Sequence, residues 1–73
     1  WDDAFAAFKA IADADPKAAA AFHNMAVVRE AQGREEEALE LATKATVIED
    51  KALYRGLRNA LKDRIAARQV VLP

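Results

Sequence analysis

The stretch F-H-N-M-A-V-V-R-E-A-Q-G-R-E-E-E-A-L-E-L-A-T-K-A-T-V-I-E, from Phe22 to Glu49, decides the fold. It reads as a helix, a glycine corner and a second helix. In the first half, Ala18 to Gln32, the residues Phe22, Met25, Ala26 and Arg29 fall at i, i+3, i+4 and i+7, so they share one helical face. Ala18 to Ala21 and Ala31 are strong helix formers. Gly33 can take the left-handed conformation that closes a helix. Glu35, Glu36 and Glu37 then open the second helix, where carboxylates meet the positive end of the dipole, each contributing roughly 0.3–1 kcal/mol at most. Behind them Ala38, Leu41, Ala42, Ala45 and Ile48 form a second apolar stripe. Gly33 and Arg34 make a link too short for anything but an antiparallel pair. Small side chains at Ala26, Ala38 and Ala45 let the two helices approach to about 8–10 Å. Larger ones would overpack the contact, at roughly 1–3 kcal/mol each.

These residues resemble a tetratricopeptide repeat, a helix-turn-helix unit of about 34 residues. The first-helix pattern W-x2-L-G-x2-Y is met by Phe22, Met25 and Ala26, with Arg29 in the tyrosine place. The second-helix pattern A-x3-F…P is met by Ala38, with Ala42 and Asp50 departing from it. The turn Gln32–Arg34 and the run E-E-A-L-E ending at Glu40 also look typical. The resemblance implies an all-α fold of antiparallel helical hairpins, an α-solenoid fragment, and a role in binding other proteins.

The flanks read as pieces of the same unit, in one domain of four helices. Trp1 to Pro16 looks like the second helix of a partial repeat, with Trp1, Phe5, Phe8 and Ile11, and also Ala4 and Ala12, on one apolar face. Ala4, Phe8 and Pro16 match the A-x3-F…P pattern in full, and Asp2–Phe5 lies 34 residues before Glu36–Leu39. Pro16 ends this helix because it lacks the N–H and disfavours a helical residue before it. Residues 17–50 form the complete repeat. Residues 51–69 resemble the extra helix that closes a repeat array, and Val70 to Pro73 is a short apolar tail. In the last helix Leu53, Leu57, Ala60 and Leu61 are expected to face inward, with Tyr54 and Ile65 at the margin. That register sets Asn59–Arg64 over Asn24–Arg29, whereas the direct one would bury Gly56, Asn59 and Asp63. Arg64 and Arg68 are expected on the inward flank of a far half exposed on both sides.

The chain has 73 residues, 53% hydrophobic and 32% charged, with net charge −1. A domain this small buries only about 60% of its unfolded surface, so its stability is marginal. With no cysteine, disulfides and thiolate metal sites are excluded. No apolar run approaches the roughly 18–20 residues of a membrane span, and no signal-peptide layout is present. The first residue, Trp rather than Met, reads as the start of a piece of a longer chain. Related repeat ends occur on bacterial envelope lipoproteins and on cytoplasmic scaffolds alike, so the resemblance implies no compartment.

Lys51, Arg55, Arg58 and Lys62 follow at four, three and four residues, a cationic stripe along the last helix. In tetratricopeptide arrays the first helix of each pair lines the concave groove. The expected groove residues are therefore His23, Asn24 and Val27 from the central repeat and Arg55, Arg58 and Lys62 from the last helix, with Ala20 and Glu30 beside them. Asn24 stands where some family members hold a peptide's terminal carboxylate. The resemblance thus implies a peptide or helix in the groove, with an acidic segment or free C-terminus as one form of it. His23, the only histidine, has Ala19 and Val27 as its neighbours four residues away and no metal-ligand partner within a turn. Glu35–Glu37 read as a dipole-stabilised first turn. Asp13 and Asp15 fall short of a calcium loop, and there is no phosphate-binding glycine loop or nucleophile elbow. No cofactor, metal or catalytic constellation is expected. Net negative charge and the lack of interleaved aromatics speak against nucleic acid. A second expectation is structural: self-association, or packing on another domain, through the Trp1, Phe5 and Phe8 face.

Overall fold

The computed structural model describes residues 1–70; the apolar tail from Val70 onward therefore lies, at 71–73, outside the described residues. Four helices follow in order: α1 (Asp2–Ala14), α2 (Ala19–Ala31), α3 (Glu35–Ile48) and α4 (Ala52–Arg68). There is no strand among the described residues. Each helix packs antiparallel on the next, in a slab of 48 × 26 × 14 Å. No described helix is long and apolar enough to cross a membrane.

The corners follow from the residues placed there. α1 stops as Asp15, held before Pro16, turns extended at φ −137°. Gly33 takes φ +79° after α2, the one positive φ among the described residues. It lets the Arg34 N–H donate to the Arg29 carbonyl at 2.9 Å and its own N–H to Glu30 at 3.0 Å, which satisfies two orphan carbonyls. No helix begins with a side-chain cap. α3 starts on Glu35, Glu36 and Glu37 instead. α4 has no acid in its first turn, but Asp50 sits just before it and bonds Arg55.

Two apolar clusters hold the layers together. One joins Ala12 of α1, Ala19, Ala21, Phe22 and Met25 of α2, Ala45 of α3 and Tyr54 of α4. The other joins Ala26, Ala38, Ala42 and Leu61. Ala26, Ala38, Ala42 and Ala45 are wholly buried, which is why the helices can pack closely. The stripe expected of the central hairpin is thus the core of the domain.

The outer helices differ from expectation. On α1 the apolar face is split. Phe5 and Phe8 are half-buried beside the first cluster and Ala12 is buried, while Trp1 is 71% and Ile11 52% exposed, and Ala4 is open. On α4 the buried residues are Tyr54 and Leu61, flanked by half-buried Leu57, Arg58 and Ile65; Leu53 is 67% exposed and Ala60 is open. The expected inward set of Leu53, Leu57, Ala60 and Leu61 is therefore rotated. Its register gave α4 the face that α2 turns to α3. α4 docks on its predecessor α3 with the face that α2 turns to its own predecessor α1. Ala21, Met25 and Val28 on α2 recur 33 residues later as Tyr54, Arg58 and Leu61. Nor is the far half of α4 unattached. Arg64 bonds Glu30 and lies 3.5 Å from Glu35, while Arg68 reaches Glu35 at 3.2 Å and Glu36 at 2.6 Å.

Candidate functional site

α2 and α4 touch at two places in the same order along both helices, so they run parallel. At one, the rings of His23 and Tyr54 lie 4.9 Å apart. At the other, Arg64 bonds Glu30. Beside this contact, on the side away from α3, exposed faces of the two helices lie next to one another, and no pocket forms between them among the described residues.

Its walls follow from helical geometry, at about 100° per residue. On α2, Phe22 and Ala26 pack toward α3, His23 and Glu30 toward α4, and next round the helix come Ala20, Asn24 and Val27. Ala20 is open, Asn24 half-buried and Val27 42% exposed. On α4, Tyr54 and Leu61 meet the α3 alanines. Leu57 and Arg64 come next, toward α2, and beyond them lie Leu53 and Ala60. That shared face therefore carries Ala20, Asn24 and Val27 from α2 and Leu53 and Ala60 from α4.

His23, Asn24 and Val27 thus share the α2 side of the site, but His23 is buried beneath it rather than presented. Burial lowers the His23 pKa below its usual value, with the Glu30 carboxylate pulling weakly the other way. Its Nδ1 is buried without a hydrogen-bond partner. Asn24 amide and Glu30 carboxylate border a contact whose one ion pair is already closed: the hydrogen bond to Glu30 raises the Arg64 pKa, keeping it charged.

Arg55, Arg58 and Lys62 are turned away from this face. Going round α4 they follow Tyr54 on the side opposite Leu57 and Arg64. Arg55 is bound to Asp50. Arg58 is half-buried beside Tyr54 and donates to Asn59 at 3.2 Å, and Lys62 is exposed. The cationic stripe exists, but on the outer face of the last helix. The physical reason is the same rotation of α4 that exposes Leu53. Leu53 and Ala60, expected to face inward, are exposed instead on the side of α4 that carries Leu57 and Arg64; their spacing, at i, i+4, i+7 and i+11, is the signal that could have placed them there.

No enclosed cavity forms among the described residues, and no three of their His, Asp or Glu side chains converge as a metal site would require. Comparison with family models, with curated proteins and with solved structures found no match.

Proposed function

We infer that the chain is a protein-protein interaction module of the tetratricopeptide type, whose α2–α4 face takes a peptide or helix. The observation that supports this reading is that Val27 on α2 and Leu53 on α4 are exposed, 42% and 67%, on the face of the α2–α4 pair turned away from α3. Exposed aliphatic side chains on neighbouring helices suit an amphipathic segment that presents an apolar ridge. The resemblance of Phe22–Glu49 to a tetratricopeptide repeat supports the same reading. Recognition of an acidic tail has less support, because the three cations expected for it lie on another face of α4.

Two synthetic probes test this by chemical-shift mapping: an amphipathic helix with leucines at i, i+4 and i+7, and an extended peptide with an acidic C-terminus. The helix should shift Val27, Leu53 and Ala60, and Val27→Glu should abolish the effect without changing helicity. Shifts confined to Arg55, Arg58 and Lys62 with the acidic peptide would refute the α2–α4 face in favour of the cationic one.

A further inference from the structure

The two ends of the slab are not alike, and they fit one another. Thirty-four residues separate α1 from α3 in register, and 33 separate α2 from α4. These two shifts give every residue of the α2–α3 contact a counterpart on an outer helix. The α3 face packed on α2, Ala38, Leu41 and Ala45, recurs on α1 as Ala4, Ala7 and Ile11, all exposed. The α2 face packed on α3, Phe22, Ala26 and Arg29, recurs on α4 as Arg55, Asn59 and Lys62. Among the described residues one end is therefore an uncovered small-residue apolar face, and the other is a face with the cationic stems of Arg55 and Lys62, whose methylenes can cover apolar surface.

Charge completes the match. α1 carries Asp2, Asp3 and Asp13, the last paired with Lys9; the outer face of α4 carries Arg55, Arg58 and Lys62, of which Arg55 is paired with Asp50, while Arg64 and Arg68 are engaged elsewhere by Glu30, Glu35 and Glu36. Inside the domain Arg29 pairs with Glu37 across the α2–α3 contact at 3.3 Å. The same two register shifts carry that pair to Lys62 and Asp3. Neither Asp3 nor Lys62 has an ion-pair partner among the described residues.

We propose that this chain associates head to tail, α1 of one copy seated on the outer face of α4 of the next as α3 is seated on α2. The contact is heterologous, with different patches on the two copies, so each copy leaves one end free and growth is open-ended. Asp3 of one copy meets Lys62 of the other, and Ala4, Ala7 and Ile11 lie along the Arg55 and Asn59 side of α4. The shared face of α2 and α4 lies elsewhere, so this assembly does not depend on its use.

Sedimentation of the 73-residue chain over a range of concentrations, at low and high salt, tests the proposal. The average mass should climb with concentration without levelling at a dimer, and should fall in high salt. Asp3→Lys and Lys62→Asp should each stay monomeric alone, since each sets like charges together. Mixed in equal amounts they should assemble, because every contact then joins opposite charges, and the double variant should assemble by itself. All the altered residues are exposed, and circular dichroism checks that helicity is kept; Ala7→Arg, on α1 alone, serves if Asp3→Lys misfolds. A chain monomeric at every concentration overturns the proposal. So does a plateau at dimer mass, or a Lys62→Asp variant that associates as the parent does, since either means that α1 pairs with something other than α4.

Discussion

The guanidinium carbon of Arg29 lies 3.6 Å from the centroid of the Phe5 ring. The same side chain donates to Gln32 at 2.7 Å and pairs with Glu37 at 3.3 Å, so one residue of α2 joins α1, α2 and α3. It is only 15% exposed. Its planar cation covers the ring while its edge still reaches two oxygens, which a lysine ammonium cannot do. Arg29→Ala should cost about 1–3 kcal/mol, from a cation–π contact of about 0.5–2 and a part-buried hydrogen bond of about 0.5–1.5. Arg29→Lys should recover less than half. Urea unfolding checks this, and a midpoint unmoved by Arg29→Ala would mean that the stack contributes nothing.

How far the sequence foretells such contacts depends on their range. The central hairpin was legible because Phe22, Met25 and Ala26 repeat with the helical period and Gly33 marks the corner. The burial of Ala38, Ala42 and Ala45 follows from the same periodicity. Arg29 falls on the inward face, yet nothing local says that an arginine there would lie on a phenylalanine 24 residues earlier. The α4 face was misplaced for a related reason. Leu53, Tyr54, Leu57 and Leu61 offer two overlapping stripes, and the neighbouring helix, not the periodicity, selects one. Residues assigned to the groove through α4 moved with it, whereas Asn24 and Val27 on α2 did not.

Leu61 is the one large side chain wholly buried among the described residues, and it closes on Ala26, Ala38 and Ala42. Leu61→Ala should cost about 2–5 kcal/mol, the usual range for a buried leucine. That is a large share of the stability of so small a domain, roughly 4–11 kcal/mol at 0.05–0.15 per residue. Ala42→Leu should cost about 1–3 kcal/mol from the opposite fault, overpacking. Thermal melts of both variants test the pair. A tolerated Ala42→Leu would show that α3 and α4 have room to separate.

The far half of α4 depends on charge more than on apolar burial. Beyond Leu61 only Ile65 is half-buried, while Arg64 and Arg68 meet Glu30, Glu35 and Glu36. Arg64, Arg68 and Glu36 are about half or more exposed, though Glu30 and Glu35 are less so, and salt should weaken these pairs. Amide exchange should quicken from Lys62 to Arg68 in high salt, and Arg64→Ala with Arg68→Ala should reproduce this in low salt. The helix from Ala52 to Leu61 should change little in either case. Equal loosening along the whole of α4 would show instead that the network and the Leu61 cluster act as one unit.

His23 gives the domain a direction of pH dependence. Its ring is buried against Tyr54, with Nδ1 unpartnered, so a proton there is disfavoured in the folded state. Glu30 favours protonation and is outweighed by burial. The folded pKa is therefore below the ordinary 6.5. Above that value His23 is neutral in both states and stability does not depend on it. As pH falls through about 6.5 the unfolded chain takes up the proton first, and stability declines until the folded pKa is passed. His23→Phe keeps a ring against Tyr54 and cannot titrate. Its urea midpoint should stay level from pH 7.5 to about 5.5 while that of the parent falls. Parallel decline in both proteins would remove His23 from the account.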